Sequence, residues 1–319
     1  MEVLMPGANG AAQSATTEDL AFAQQLRERY LSATTSLGHP EKVGDIRDFK
    51  VAGQNPDREI PVRLYLPEGI EPKDLPVVVF AHGGGFMAGN LDMFDVALTS
   101  LTNRAGAAIL SVDYRLIPEH PYPAGLEDVY AALSWVATNG ASIGIDPQRI
   151  AISGDSAGGN LAAAAAILTR DRRGPKLSAQ LLMYPGLGNK MDTPSFKEFG
   201  QTHTPTVDFA ARVLKMYVPA GVDPFSPLIS PLSADHRDLP PALVLVGRLD
   251  PLRDDGQEYS KALNEAGVEA QTIIYPNSGH AFIQFYQLKD RSPDGDAALA
   301  DGAKFLGEKL ALRKRPANL

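Results

Sequence analysis

The strongest constraint on this chain is a series of short runs, rich in apolar and β-branched residues, that show no polar alternation. They are Val77–Phe80, Ala108–Val112, Ile150–Ile152, Leu181–Met183, Leu243–Val246 and Thr272–Ile274. A strand with one wet face alternates apolar and polar side chains, so runs of this kind belong to strands covered on both faces. Helical patterns lie between them, near 93–105, 124–138, 157–170, 254–266 and 297–311. Strands alternating with helices stack as βαβ units, which predicts an α/β fold: a mostly parallel central sheet flanked by helices. Ile60, Val62, Leu64 and Leu66 alternate with polar or small neighbours and read as a half-buried strand near the start of the sheet. Asp254 with Gln257 three residues later predicts a capping box for the fourth of those helices. An apolar fraction of 44% over 319 residues supplies a core for one large domain.

Two stretches stand outside the alternation. Residues 1–45 hold one amphipathic helix in which Leu20, Ala23, Leu26, Tyr30 and Leu31 share a face. Residues 187–225 are punctuated by Pro, Gly and Thr around a second helix with Val207, Ala210, Leu214 and Tyr217 in helical spacing. Each either covers the C-terminal edge of the sheet as a cap or packs on its flank. The expected division is 1–45 as an N-terminal helical segment and 46–319 as one α/β domain, interrupted by an insertion at about 187–225.

Composition narrows the partners. The net charge of −8 disfavours nucleic acid and anionic membranes, which require a basic face. With no cysteine there is no disulfide, no thiolate metal site and no cysteine nucleophile. Met1–Ser14 lacks the basic and apolar regions of a secretory signal, and no apolar run approaches the about 20 residues of a membrane span, so a cytoplasmic protein is expected. Arg313-Lys314-Arg315 reads as the cationic end of the last helix.

Chemistry enters with Gly154-Asp155-Ser156-Ala157-Gly158, placed between a strand and an Ala-rich helix. A serine on so sharp a strand-to-helix turn is strained and exposed, and the residues two before and two after it must lack Cβ. The same turn aims the helix N-terminus at the site, where the Ala157 N–H can meet a developing oxyanion. His82-Gly83-Gly84-Gly85-Phe86 follows another strand. Three glycines in a row are entropically costly, which indicates a demand for bare backbone. No Lys-Ser/Thr follows to make a phosphate loop, so presentation of N–H groups to a tetrahedral intermediate is the better use. His82 reads as a structural residue of that loop rather than a base.

Of six histidines, His280 has the right context, on a short flexible loop after the last strand-like run; His203 and His236 read as surface or cap residues. Asp250 directly follows Leu243–Gly247 and is the candidate carboxylate, with Asp254 as competitor. Ser156, Asp250 and His280 then all end strands at one edge of the sheet, where open α/β sheets place their sites. The candidate triad is Ser156, His280 and Asp250.

Together these blocks, with Asp113-Tyr114-Arg115-Leu116 and Pro118-Glu119-His120-Pro121, resemble the hormone-sensitive-lipase-like esterases, bacterial family IV of the α/β-hydrolases, over roughly residues 60 to 310. The resemblance implies an α/β-hydrolase fold with a helical cap, made of residues 1–45 and the insertion at about 187–225 in a catalytic domain over 46–319, and hydrolysis of carboxylic esters through the triad. It implies oxyanion donors Gly84, Gly85 and Ala157, with Gly83 as a weaker third glycine. It further implies no metal or organic cofactor, a small-molecule ester as substrate, and a monomer or homodimer. Asp155, Asp113 and Glu127 correspond to structural carboxylates. The chain departs from the family at Ala281, where Gly usually follows the histidine.

Phe86, Met87, Leu187, Phe209, Leu214 and Tyr217 are candidate pocket liners, and a modest apolar pocket implies short-to-medium acyl chains. An amidase or carbamate hydrolase on the same scaffold is the alternative, and a non-catalytic binding protein of this fold a more distant one.

Overall fold

The computed structural model describes residues 15–55 and 58–311. Among them, eight strands form one sheet: β1 (Asp45–Ala52), β2 (Glu59–Leu66), β3 (Leu75–Ala81), β4 (Ala108–Val112), β5 (Ile145–Asp155), β6 (Leu177–Met183), β7 (Ala242–Gly247) and β8 (Ala270–Tyr275). Their order is β1-β2-β4-β3-β5-β6-β7-β8, antiparallel at β1/β2 and β2/β4 and parallel from there on. Every residue of β4 and β7 is buried, as their unbroken apolar runs require.

Helices cover both faces. α3 (Ala124–Asn139), α4 (Ala157–Asp171) and α7 (Arg253–Glu265) pack on one side, α2 (Asp95–Ala105) and α8 (Gly295–Leu310) on the other. The two stretches outside the alternation supply α1 (Thr17–Thr34), α5 (Pro194–Phe199) and α6 (Val207–Tyr217). Each of these three starts at a threonine whose side chain accepts a backbone N–H three residues on: Thr16 from Asp19, Thr193 from Phe196 and Thr206 from Phe209. α1 and α6 touch. Phe22 lies 6.3 Å from Phe209, and the Arg212 guanidinium sits 3.9 Å above the Phe22 ring.

Several expectations need correction. β1 has no apolar run to announce it, because it is an edge strand with six of its eight residues exposed. Thr272–Ile274 is not a doubly covered strand: β8 ends the sheet, and Ile274 is 39% exposed. On α1 only Ala23 and Leu26 are buried; Leu20 and Leu31 stand on the helix flank, 40% and 61% exposed. α7 begins one residue before Asp254, with Leu252 at its N-cap and no side-chain cap, so Asp254 is not a capping residue. The 187–225 stretch holds two helices, α5 and α6, rather than one. The Arg313-Lys314-Arg315 reading falls outside the described residues.

Candidate active site

Ser156 occupies the one-residue turn between β5 and α4, with φ 53° and ψ −118°, a conformation that L-residues rarely adopt. The glycines on either side permit it. A Cβ on Gly154 would stand 2.2 Å from the carbonyl oxygen of Gly158, and one on Gly158 would stand 2.0 Å from that of Ala81 on β3. The backbone is held there by the Ser156 N–H, which donates to Met183 O at the end of β6 (2.9 Å).

The loops after β7 and β8 meet Ser156 from the side. Ser156 Oγ lies 2.8 Å from His280 Nε2, and His280 Nδ1 lies 2.8 Å from Asp250 Oδ2. Asp250 is fully buried, and its Oδ1 accepts the Leu252 N–H at 2.8 Å. A carboxylate can only accept, so the shared proton sits on Nδ1 and Nε2 is left to accept from the serine hydroxyl. The two loops are laced together where Arg248 N–H donates to Tyr275 O (2.9 Å) and Leu249 N–H to Ser278 O (3.0 Å). Ala281, the departure noted above, has φ 61°, the left-handed region that glycine occupies without strain.

Asp254 is accounted for elsewhere: Oδ2 accepts the Ser195 N–H (2.7 Å) and Oδ1 an Arg253 Nε–H (2.9 Å), which ties α5 to α7. Three of the other histidines have their partners elsewhere. His236 is buried rather than superficial, with Nε2 3.1 Å from Pro231 O and its ring edge against Tyr259. His203 contacts Thr202 and Phe199. His82 is fully buried and lies against Tyr114 and Phe94, its ring centroid 4.4 and 5.6 Å from theirs, with Nδ1 2.9 Å from Gly83 O. Burial pushes its imidazole down to about 4, so it is neutral and holds the loop.

That loop separates its three glycines. The Gly83 N–H is taken by Asp155 Oδ1 at 2.6 Å, so Gly83 is not a free donor. Gly84 and Gly85 have φ 123° and 62°. Among the described residues, neither their amides nor that of Ala157 donate to any acceptor. Asp155 also accepts from Gln284 Nε2 (2.8 Å), and burial pushes its carboxyl up to about 6. Glu127 pairs with Arg172 through two contacts of 2.8 and 2.6 Å. Desolvation raises the Asp113 carboxyl above its ordinary value.

Beside Ser156 opens a cavity with about 660 Å³ of empty space, counting its mouth. Phe86, Phe209, Leu214 and Tyr217 line it; Met87 and Leu187 do not. Met87 is fully buried beneath the loop against Ala23, Leu26 and Ile117, and Leu187 is buried in the main core with its N–H on Asp255 Oδ2 (2.9 Å). Sequence reasoning missed Val213, Phe196, Ile229 and Asn160. Val213 was within reach, one turn from Phe209 on the same face of α6. Phe196 was not, because α5 had not been recognised.

The chain matches the family model described as alpha/beta hydrolase fold over residues 78–284. It is 42% identical over 252 residues to the carboxylesterase NlhH of Mycobacterium tuberculosis, covering 77% of this chain and 78% of the relative. The chain belongs to the hormone-sensitive-lipase-like carboxylesterases of the α/β-hydrolase fold. An arylesterase of Saccharolobus solfataricus is 33% identical to this esterase over 262 residues, covering 82% and 84% of the two chains. A solved esterase of Pyrobaculum calidifontis aligns with a TM-score of 0.84 at 36% identity, covering 90% of this chain and 93% of the other. The protein is an enzyme that hydrolyses carboxylic esters. Among its described residues, no helix is long and apolar enough to cross a membrane.

Proposed function

We propose that the esterase works by acyl transfer through Ser156. His280 Nε2 takes the hydroxyl proton as Oγ attacks the ester carbonyl carbon. The carbonyl π pair moves to oxygen, and the amides of Gly84, Gly85 and Ala157 hold that oxyanion. Collapse breaks the bond to the alkoxy oxygen, which leaves as alcohol with the proton from His280. Water then attacks the acyl-enzyme, giving its proton to His280 Nε2, and collapse breaks the bond to Ser156 Oγ, which takes that proton back as the acid leaves. Asp250 keeps the imidazole in the reactive tautomer and stabilises the imidazolium.

The carrying observation is the unbroken pair of 2.8 Å contacts, Ser156 to His280 to Asp250, opening onto a pocket beside unused amides. We infer that α1, α5 and α6 form a cap which closes that pocket to short-to-medium acyl chains. Phe86, Phe209, Leu214 and Tyr217 are its apolar wall. The enzyme acts as a cytoplasmic monomer or homodimer on this reading. Ser156→Ala is expected to abolish turnover of p-nitrophenyl butyrate without unfolding the protein; undiminished turnover would remove Ser156 as nucleophile. Across p-nitrophenyl esters from acetate to dodecanoate, kcat/KM is expected to peak at or below about eight carbons, and a maximum at dodecanoate would refute the compact pocket.

A further inference from the structure

The segment Tyr114–Glu119 touches no reacting group, yet several of its contacts brace the loop that carries Gly84 and Gly85. Tyr114 Oη donates to His82 O (2.6 Å), and the Ile117 N–H donates to Phe86 O (2.9 Å). From the other side comes Arg27 of α1. Its Nε–H donates to Met87 O (2.8 Å) and its Nη2–H to Ile117 O (3.1 Å). Both terminal nitrogens also reach the Glu119 carboxylate, at 2.7 Å each. One guanidinium therefore ties together three segments distant in sequence: the N-terminal helix, the turn after the glycines, and the Ile117–Glu119 strap.

The turn needs such bracing. Gly84, Gly85 and Phe86 have φ of 123°, 62° and 59° in succession, and Phe86 pays a steric penalty there because it has a Cβ. The turn closes where Gly84 O accepts the N–H groups of Met87 (3.2 Å) and Ala88 (3.0 Å). The Met87 carbonyl belongs to the same peptide group as the Ala88 N–H that closes the turn, and Arg27 holds it. Apolar packing continues the same joint, since Ala23 and Leu26 of α1 lie in one buried cluster with Met87, Ala88 and Ile117. With the Arg27 side chain 28% and the Glu119 side chain 39% exposed, the ion pair itself adds little to stability. Its fork geometry, two carbonyls and a carboxylate engaged at once, is what a point charge could not reproduce.

We propose that Arg27 is a positioning residue for the oxyanion hole. By clamping Met87 O and Ile117 O it fixes the direction of the Gly84 and Gly85 amides, and it makes the docking of α1 a condition of fast acylation. The proposal rests on those two amides receiving the oxyanion.

The test compares wild type with Arg27→Ala, Arg27→Lys and Glu119→Gln. It follows kcat and KM on p-nitrophenyl butyrate, the inhibition constant of an alkyl trifluoromethyl ketone, and thermal unfolding. The ketone adds to Ser156 as a hemiketal oxyanion and so reads the hole directly. Arg27→Ala is expected to lower kcat about 10- to 100-fold, somewhat less than deletion of a whole donor, with KM changed less than about threefold. Ketone affinity falls in parallel, and Arg27→Lys recovers less than a tenth of the lost kcat. Glu119→Gln, which loosens the fork but keeps the cation, falls between wild type and Arg27→Ala. Should Arg27→Ala not fold, the lysine and Glu119→Gln variants must still show the paired loss of kcat and ketone affinity. Retention of both within twofold overturns the proposal, as does a rise in KM alone or a lowered melting temperature with unchanged kcat. A fluorophosphonate that fails to label Ser156 in wild type would overturn the acyl-transfer reading instead. Full labelling of wild type with unchanged Arg27 variants would overturn only the clamp.

Discussion

Replacing Asp250 by Asn is isosteric, yet the surroundings of Asp250 dictate which way the amide must face. Oδ1 accepts the Leu252 N–H at 2.8 Å, and in the variant only the amide oxygen can keep that bond. The NH2 group is then turned toward His280 Nδ1, the position Oδ2 now holds at 2.8 Å. It donates to Nδ1, so the imidazole proton moves to Nε2 and points at Ser156 Oγ, where a base is needed. Turning the amide over would leave a buried N–H unpaired, costing about 1–3 kcal/mol, so the reactive tautomer is populated about 5- to 150-fold less. The imidazolium also loses a charge-assisted hydrogen bond worth about 1.5–3 kcal/mol. Together these lower kcat by about 10² to 10⁴, consistent with the about 10⁴ lost when the corresponding change is made in a serine-protease triad. The assay is steady-state hydrolysis of p-nitrophenyl butyrate at pH 7.5, with a thermal melt to establish that the fold is kept. A loss below about tenfold in a folded variant would refute the reasoning. Asp254→Asn is the control; its carboxylate serves Ser195 and Arg253, and kcat is expected to stay within a few-fold.

The remaining expectations concern the backbone and the buried acids. Gly158→Ala places a Cβ 2.0 Å from Ala81 O and 2.4 Å from His82 O, so the nucleophile turn or the end of β3 must move. A destabilisation above about 3 kcal/mol in guanidinium melts and a loss of activity above about a hundredfold are expected, and near-wild-type behaviour would contradict the turn geometry. Ala281→Gly relieves a left-handed conformation costing about 1–2 kcal/mol but adds about 0.4–1 kcal/mol of unfolded-chain entropy. The variant is expected to be about 0.5 kcal/mol more stable with activity kept, and a loss above about 1 kcal/mol would contradict it. Burial raises the Asp255 carboxyl to about 7, while its Oδ2 accepts the N–H groups of Leu187 (2.9 Å) and Gly188 (2.8 Å). The folded state binds this proton more tightly than the unfolded chain, so the group's contribution to stability rises as pH falls through about 7 toward the ordinary carboxylate range. Between pH 8 and 5.5 wild type is expected to gain about 2 kcal/mol more than Asp255→Asn in guanidinium unfolding; parallel slopes would show that Asp255 ionises normally.

What could be read from residues alone followed the strength of the physical demand behind each one. The buried strands had to be apolar on both faces, so β3 to β7 were legible. β1, carrying Asp45, Arg47, Asp48 and Lys50 on an exposed edge, meets no such demand and left no pattern. Gly154 and Gly158 were legible because no other residue fits against Ala81 and its neighbours. Met87 and Leu187 were misjudged, since an apolar side chain in a loop looks the same whether it faces a cavity or the core beneath. Residue pattern alone did not separate Gly83 from Gly84 and Gly85, which only the family resemblance ranked apart: the separation depends on Asp155 Oδ1 reaching across from β5 to one amide of the three. Asp254 satisfied the spacing of a cap, but long-range pairing with Ser195 and Arg253 claimed its carboxylate. Arg27 carried no signal, because its partners lie 60 and 92 residues away.

The most direct test is to titrate the esterase with a p-nitrophenyl alkylphosphonate and locate the adduct by peptide mass spectrometry. One phosphonyl group per chain is expected on the peptide containing Ser156, with residual activity falling in strict proportion to labelling. Inactivation with the adduct on another residue, or full labelling of Ser156 with activity intact, would contradict catalysis by the Ser156–His280–Asp250 relay.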